Sequence, residues 1–193
     1  MFPAIFLDRD GVIIENSPDY IRTWADVVIY KQALEALAQT SSFPYKIVMI
    51  TNQSVVGRGL IPLSVATEIN NRLLGEIQKA GGRVDGVFMC PHAPEANCNC
   101  RKPQPGLLFQ AASALSLDLS QSLLIGDTLS DLKAGQVAGV KQTALVKTGL
   151  GLHQADLPEA STLSPFLVYN TLSDALADLV ICPGSNHLRQ KVP

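Results

Sequence analysis

The chain of 193 residues has little of what marks membrane proteins, nucleic-acid-binding proteins or disordered proteins. No apolar run approaches the ~20 residues that a membrane helix needs. No dense run of Lys and Arg offers a basic surface, and the formal net charge is −2. Apolar residues make up 47% of the chain, which argues against intrinsic disorder. We therefore expect a folded protein that has neither nucleic acid nor a membrane as its partner.

The beginning of the chain also lacks the charged segment and long apolar core of a signal peptide. Residues 1–3 lead directly into an apolar run, so the expected location is cytoplasmic. Internal repeats and low-complexity linkers are absent from the sequence. We expect one domain over residues 1–182 and a C-terminal tail over residues 183–193. A monomer is the expected state because the pattern shows no exposed apolar stripe.

Short apolar runs alternate with helical patterns, which is typical of a parallel sheet with helices on both faces. The expected strands are residues 4–7, 46–50, 84–89, 122–125 and 142–146, with an edge strand at 166–169. The expected helices are residues 32–39, 62–80, 105–115, 129–138 and 172–179. The predicted fold is therefore a Rossmann-like, doubly wound α/β domain.

Polar residues directly follow three of the predicted strands. Asp8 and Asp10 follow the first strand, Thr51 and Asn52 follow the second, and Asp127 follows the fourth. Ligands of open α/β sheets bind beyond the carboxyl ends of the strands, so these side chains are expected to converge. Asp8 and Asp10 are two positions apart, so they are expected to point the same way, and two such carboxylates repel unless a cation or a shared proton intervenes.

These residue types supply the parts of a phosphoryl-transfer site. The three carboxylates, completed by waters, suit Mg²⁺, and Lys102 offers a positive charge for the transferring group. The hydroxyl of Thr51 and the amide of Asn52 can donate hydrogen bonds to phosphate oxygens. Such a set fits transfer through an aspartyl-phosphate. The alternative for the aspartates is a polar turn or a helix N-cap, and capping is a fair rival for Asp127.

The order of these motifs resembles the haloacid-dehalogenase-like phosphatases. The matching segments are residues 6–11 (FLDRDG), 50–52 (ITN), 101–103 (RKP) and 125–131 (IGDTLSD). More narrowly, the segments at 51–54, 57–59 and 90–103 are similar to the heptose 1,7-bisphosphate phosphatases and the histidinol-phosphate phosphatases. The gaps at 11–46 and 53–84 are too short for the large cap domain found in parts of this superfamily.

The resemblance implies a role for each matched residue. Asp8 would be the nucleophile and Asp10 the general acid/base. Mg²⁺ would be held by the side chains of Asp8 and Asp127 and by the backbone carbonyl of Asp10. The residues that would bind the phosphoryl group or the rest of the substrate are Thr51, Asn52, Lys102 and Arg101.

Two further residues each have two interpretations. Arg58 lies between two glycines and would reach a second phosphate of the substrate, or it is an ordinary solvated loop residue. Asp131 lies four residues after Asp127, on the same face of a predicted helix. It would orient Lys102, or it is a plain surface charge.

A cysteine-rich segment at residues 90–100 predicts a second metal site. Three thiolates and one imidazole complete a tetrahedral zinc shell, which makes such a zinc structural rather than catalytic. The alternative is a cysteine-containing loop without metal. Because Arg101 and Lys102 follow directly, zinc would shape the loop that aims them at phosphate. The predicted ligands are Cys90, His92, Cys98 and Cys100, while Cys182 is expected to be an isolated thiol.

The leading hypothesis is a Mg²⁺-dependent phosphatase of carbohydrate metabolism that acts on a small phosphorylated metabolite, heptose 1,7-bisphosphate. The short segment between His92 and Cys98 is similar to the histidinol-phosphate group instead, whereas the Gly-Arg-Gly segment at 57–59 is similar to the heptose group. The alternatives are therefore a histidinol-phosphate phosphatase, a phosphate-binding module without catalysis, and a zinc-dependent interaction module.

Overall fold

A computed structural model of the chain describes residues 1–163 and 165–181, together with the backbone of 190–192. Its strands are β1 (Ala4–Leu7), β2 (Lys46–Asn52), β3 (Gly86–Cys90), β4 (Leu123–Gly126), β5 (Gln142–Val146), β6 (Phe166–Tyr169) and β7 (Gln190–Val192). They form one sheet in the order β3-β2-β1-β4-β5-β6-β7. The first six strands are parallel, and β7 runs antiparallel to β6.

Helices connect these strands. They are α1 (Lys31–Thr40), the single turn α2 (Ser54–Gly57), α3 (Leu63–Lys79), α4 (Gly106–Leu115), α5 (Leu129–Ala138), α6 (Gly151–Ala155) and α7 (Leu172–Leu176), which continues as a π-helical turn over Ala177–Ile181. None of the described helices is both long and apolar enough to cross a membrane.

The first strand shows how the sheet is covered on both faces. Successive side chains of a strand point to opposite sides. Ile5 and Leu7 belong to the core that includes residues of α1, α3 and α7. Ala4 and Phe6 belong to the core that includes residues of α4 and α5. All four side chains are buried, and the predicted doubly wound α/β fold is confirmed.

The strand order places a crevice next to β1. The chain leaves β1 for β2 and β3 on one side, then returns to β4 on the other side. Such a reversal opens a crevice beyond the carboxyl ends of the two central strands. Leu7 of β1 pairs with Ile125 of β4, so the residues that follow these strands emerge side by side.

The structure differs from the sequence expectations at the outer strand of the sheet. The strand at 166–169 is not at the edge, because β7 pairs with it. Residues 190–192 were expected in the tail, and they form that strand instead. Cys182, at the end of the expected domain, and residues 183–189 and 193 of the expected tail lie outside the described residues. Strand formation depends strongly on tertiary context, so the pairing of residues 190–192 with β6 was not apparent from their local sequence.

Candidate active site

The crevice between β1 and β4 places Asp8 beside a buried lysine. The backbone N–H of Asp8 donates to the carbonyl of Ile125 at 3.0 Å, which continues the pairing of the strands by one residue. Oδ1 of Asp8 lies 2.7 Å from Nζ of Lys102. Asp8 is 9% exposed, so it remains at the surface of the crevice rather than sealed in the core.

Lys102 is bonded on three sides. Its Nζ lies 2.7 Å from Asp8 Oδ1 and 2.6 Å from Asp131 Oδ1, and it donates to the carbonyl of Ile50 at 3.1 Å. Burial by itself would lower the pKa of Lys102, but the carboxylates of Asp131 and Asp8 outweigh it and raise that pKa above its usual value. Lys102 is therefore a permanent positive charge beside Asp8, and Asp131 is its buried partner rather than a surface charge.

Three buried carboxylates meet at this lysine and fit a divalent cation. One oxygen each of Asp8, Asp127 and Asp131 lies within 4.8 Å of the others. Burial and the charge of Asp131 raise the pKa of Asp127 to about 7, and burial also raises that of Asp8. When all three are ionised, three negative charges face one ammonium, which leaves two uncompensated. An oxygen-only site with that excess suits Mg²⁺.

The orientation of Asp127 is set by groups outside the metal cluster. Its Oδ2 accepts hydrogen bonds from Nδ2 of Asn16 at 2.7 Å and from the backbone N–H of Leu150 at 2.9 Å. Gly11 and Gly149 have φ of +80° and +60°, and a Cβ on either would overlap the same carboxylate oxygen. The carboxylate is thus held from one side, and its other oxygen is left for a cation.

Asp127 does not cap the N-terminus of α5, contrary to the helix-capping alternative. The N-cap of α5 is Thr128, and the side chain of Asp131 accepts from its backbone N–H at 3.1 Å and its hydroxyl at 2.6 Å. This capping box satisfies the first turn of the helix without Asp127. Asp131 therefore has two functions, since its other oxygen contacts Lys102.

Asp10 lies in a network of four polar side chains. Arg9 donates from Nε to Oδ2 at 3.1 Å and from Nη2 to Oδ1 at 3.0 Å. Gln53 donates to Oδ2 at 3.1 Å and to the hydroxyl of Thr51 at 2.8 Å, and that hydroxyl lies 3.4 Å from the same carboxylate oxygen. Thr51 is fully buried beneath the crevice, so donation from Thr51 to phosphate stays a prediction.

A cavity of about 290 Å³ opens over these residues. Among the predicted site residues, those that line it are Asp8, Asp10, Asn52, Arg101, Lys102 and Asp127. Tyr20 and Leu150 lie at its margin and are 39% and 51% exposed. No inserted domain covers the opening within residues 11–46 and 53–84, as expected from the short gaps.

Arg58 is not brought into the cavity lining. It is exposed on the turn after α2, and its Nη2 lies 3.6 Å from Oε1 of Glu95. Both side chains of this pair are exposed, at 39% and 72%, and such an ion pair contributes only ~0–1 kcal/mol. Binding of a second phosphate by Arg58 stays a prediction, which requires the side chain to leave Glu95.

The four predicted zinc ligands converge. The three sulfurs lie 3.2–3.6 Å apart, and Nδ1 of His92 lies 3.3 Å from the sulfur of Cys100 and 3.6 Å from that of Cys90. A tetrahedral zinc with Zn–S bonds of ~2.3 Å places its sulfurs ~3.8 Å apart, so the group needs little adjustment to fit the ion. Burial opposes the ionisation of Cys98, but hydrogen bonds from Cys100 and its neighbours lower its pKa to about 6.

The cysteine segment is joined to the active site by its own continuation. Arg101 donates from Nη1 to the carbonyl of His92 at 3.4 Å, and Lys102 follows at once. Gln53 donates its backbone N–H to the carbonyl of Cys90 at 2.7 Å. Order in this segment therefore fixes the backbone that presents both cations.

Sequence reasoning missed the polar residues that hold the site residues in place. Arg9, Asn16, Gln53 and Asn70 were not assigned roles, although Arg9 and Gln53 lie inside the matched motifs. Asn70 had a readable signal, because it occupies an apolar position of a helix whose buried face includes Ala66, Ile69 and Leu73. A polar residue on such a face has a buried hydrogen-bond partner to find.

Comparison with known proteins places this arrangement among the haloacid-dehalogenase-like hydrolases. A family model described as HAD-hydrolase-like matches residues 99–175. The chain is 38% identical over 154 residues to the D-glycero-beta-D-manno-heptose-1,7-bisphosphate 7-phosphatase of Pseudomonas aeruginosa, which covers 80% of this chain and 86% of that relative. The Helicobacter pylori (strain 26695) protein of the same name is 42% identical over 144 residues, 74% of this chain and 83% of the relative.

A solved structure shares both the fold and the sequence pattern. The D,D-heptose 1,7-bisphosphate phosphatase of B. bronchiseptica, complexed with magnesium and phosphate, superposes with a TM-score of 0.83. It is 34% identical to the chain, and the match covers 93% of this chain and 98% of that one. The similarity extends over nearly the full length of both proteins.

Proposed function

As a member of the haloacid-dehalogenase-like phosphatases, the chain is a phosphoric monoester hydrolase, and we propose that it removes the 7-phosphate of D-glycero-β-D-manno-heptose 1,7-bisphosphate. The observation that carries the chemistry is the placement of Asp8 at the cavity, in contact with a fully buried lysine and next to two more carboxylates. The choice of substrate rests on the relatives of the chain, which share the name D-glycero-beta-D-manno-heptose-1,7-bisphosphate 7-phosphatase.

In the first step, Asp8 is the nucleophile. One of its carboxylate oxygens forms a bond to phosphorus while the bond between phosphorus and the C7 oxygen breaks. Protonated Asp10 transfers its proton to that oxygen, so the leaving group departs as an alcohol. Lys102 balances the negative charge that spreads over the transferring group.

In the second step, the aspartyl-phosphate is hydrolysed. Asp10, now a carboxylate, takes a proton from a water that attacks phosphorus. The bond between phosphorus and the Asp8 oxygen breaks, which releases inorganic phosphate and restores Asp8. The same residue thus acts first as acid and then as base, as microscopic reversibility requires of a shared proton carrier.

The metal-binding part of the proposal involves this chain's own oxygens. Asp8, Asp127 and the backbone carbonyl of Asp10 would hold Mg²⁺, which when bound supplies positive charge to the phosphate oxygens and to the attacking carboxylate. The support is the excess of buried negative charge at Asp8, Asp127 and Asp131. Asn52 has one amide hydrogen left for phosphate, and Arg101 lies at the cavity where the rest of the substrate enters.

The remaining parts of the proposal concern the zinc and the setting. We propose one structural zinc held by Cys90, His92, Cys98 and Cys100, a monomeric state, and a cytoplasmic location. The near-tetrahedral spacing of the four ligand atoms supports the zinc. Sedimentation analysis tests the monomer, and a second species at micromolar protein would contradict it.

A substrate panel tests the proposal. The purified chain is assayed for phosphate release from heptose 1,7-bisphosphate, other sugar phosphates and histidinol phosphate, with Mg²⁺ and with EDTA. We expect the highest kcat/KM for the heptose bisphosphate, with heptose 1-phosphate as product and no turnover in EDTA. Preference for histidinol phosphate would replace the substrate, and no release from any ester would favour a binding module.

The nucleophile is tested by Asp8→Asn. This variant should fold, bind phosphate ester and lose turnover by a factor of about 10⁴ or more, since covalent transfer has no other acceptor. Asp156→Asn, an exposed position at the end of α6, is the matched control and should keep full activity. Turnover unchanged in Asp8→Asn would remove this residue from the reaction.

A further inference from the structure

Arg9 is the largest fully buried side chain of the described chain and has no part in the reaction steps above. It is 1% exposed, although it lies between the two aspartates of the first motif. A guanidinium is rarely buried unless it is paired and hydrogen-bonded, because its desolvation is costly. Its partners therefore indicate what it does.

The guanidinium of Arg9 donates two parallel hydrogen bonds to the carboxylate of Asp10. Nε and Nη2 donate to Oδ2 and Oδ1 at 3.1 and 3.0 Å. This fork geometry fixes the plane of a carboxyl group as well as its position. These two bonds position the carboxyl group of Asp10 only if the guanidinium is itself held in place. The guanidinium lies at the end of a flexible side chain, so it needs a further partner.

Asn70 defines the position of the guanidinium from outside the motif. Its Oδ1 accepts from Nη1 of Arg9 at 2.9 Å, and its side chain is 3% exposed on α3. Its Nδ2 faces the sulfur of Met89 at 3.7 Å in β3. A helix 61 residues away in sequence thus anchors the nitrogen of Arg9 that Asp10 leaves unused.

The two oxygens of Asp10 are left unequal by this network. Oδ2 accepts from Arg9 and Gln53 and lies within reach of Thr51, whereas Oδ1 accepts only from Arg9 among the described residues. A carboxylate has about four lone-pair sites, so Oδ1 keeps room for a proton on the side away from Arg9. Oδ1 is therefore the oxygen placed to carry the transferred proton.

We propose that Asn70 is a positioning residue that acts through Arg9 to aim Oδ1 of Asp10 at the leaving-group oxygen. This inference rests on the proposed function, in which Asp10 protonates the departing alkoxide. The bond changes are those of the first step: the Asp8–phosphorus bond forms, the ester bond breaks, and the proton passes from Asp10 to the ester oxygen. Asn70 touches none of these atoms.

The test uses leaving groups that differ in their need for a proton. Asn70→Leu removes the amide at similar size, and Asn71→Leu makes the same change at the exposed neighbour on α3. The rate of the first turnover is measured by rapid quench over a series of phosphate esters from alkyl to p-nitrophenyl. Nitrophenolate leaves without protonation, whereas an alkoxide needs it.

We expect Asn70→Leu to slow the alkyl esters by about 100-fold or more and p-nitrophenyl phosphate by less than about 5-fold. The dependence of rate on leaving-group basicity becomes steeper, and Asn71→Leu behaves as the wild type. Asn70→Asp keeps an acceptor oxygen for Arg9 and should recover most of the alkyl rate. If Asn70→Leu does not fold, Arg9→Lys, which loses the fork but keeps the charge, is read in the same way.

The possible results separate the two proposals. An equal loss for all esters, or no loss for any, overturns the positioning role while leaving the phosphatase intact. A wild type that turns over no alkyl ester rejects the proposed function and this inference together. A merely structural role of Asn70 would lower every rate by one factor and leave the leaving-group dependence unchanged.

Discussion

The side chain of Asn52 and the backbone of Lys102 form a reciprocal pair of hydrogen bonds. Nδ2 of Asn52 donates to the carbonyl of Lys102 at 3.1 Å, and the N–H of Lys102 donates to Oδ1 of Asn52 at the same distance. The pair joins the last residue of β2 to the loop that carries the buried lysine. Phosphate binding by Asn52 stays a prediction, whereas the structure shows that its side chain holds the backbone of Lys102, whose ammonium contacts Asp8.

Asn52→Asp should therefore reduce kcat, by about 10- to 100-fold. The new carboxylate oxygen faces the carbonyl of Lys102 and repels it, so that the loop and its ammonium shift away from Asp8. Steady-state kinetics with the preferred ester measures the loss. Asn71→Asp adds the same charge on an exposed helix face and is the control. A kcat within twofold of the wild type would show that the pair is dispensable.

Asn16→Ala should weaken Mg²⁺ binding by about 10- to 100-fold, the usual effect of removing a partner that orients a metal ligand. Asn16 supplies one of the two N–H donors to Oδ2 of Asp127, and without it the carboxylate rotates more freely. Calorimetric titration of the apo-protein with MgCl₂ measures the affinity without turnover. Asn99→Ala, at an exposed position of the cysteine segment, should leave the affinity unchanged. Equal affinities in the wild type and Asn16→Ala would contradict the orienting role.

Zinc analysis should find one ion per chain, and Cys98→Ser should lower that content and the thermal stability. Loss of the proposed zinc would free the segment whose continuation carries Arg101, so kcat should fall by at least about tenfold as well. Cys182→Ser is the matched control and is expected to keep its zinc. Full activity after complete zinc loss would show that zinc is not needed for catalysis. A purified wild type without zinc would contradict the proposed zinc site.

Asp85→Asn should lower the free energy of unfolding by about 1–3 kcal/mol at pH 7. The carboxylate accepts from the N–H of Ile47 at 2.8 Å, from Nζ of Lys46 at 3.0 Å and from Arg83. Burial would raise the pKa of Asp85, but these contacts outweigh it and lower that pKa. Urea unfolding measures the difference, with Asp156→Asn expected within about 0.5 kcal/mol of the wild type.

The difference between the wild type and Asp85→Asn should shrink in acid. A carboxyl group with a lowered pKa in the folded state stabilises the fold above its unfolded-state pKa of about 3.9. That contribution is lost as the pH falls through the lower pKa of the folded state. If the difference in free energy of unfolding stays constant down to pH 2, the destabilisation of Asp85→Asn does not come from the lost negative charge.

The central fold was predictable because its strands are short apolar runs with abrupt polar ends. β1 and β5 have the expected bounds, and α5 begins and ends where its pattern and Gly139 indicate. β2 extends through Asn52, two residues beyond its expected apolar run, because Asn52 pairs with Cys90 of β3. Polar residues at the end of a strand look like a loop until the neighbouring strand is known.

In the candidate site, too, some features were predictable from the sequence and others were not. The meeting of Asp8 with Asp127 was predictable because residue type and strand position together specify what meets at the crevice. Lys102 was assigned from its residue type and its motif, and Asp131 rather than Asp10 completes the carboxylate cluster.

The direction of a side chain was not predictable, and so Arg58 lies at Glu95 while Thr51 lies beneath the cavity. Arg9 and Asn70 are bonded to each other across 61 residues, a relationship that no local pattern contains.

The three bonds of Lys102 have a further consequence. An ammonium has three hydrogens, and those of Lys102 face acceptors on the segment after β1, on β2 and on α5. A cation tethered in this way cannot swing out to meet an incoming ester or follow a departing one. Lys102 is a fixed positive charge in the lining of the cavity. The electrostatic potential that it produces at the reacting phosphorus is therefore set when the chain folds. Exchange of residues at the rim would then change which ester enters while the field that cleaves it stays the same.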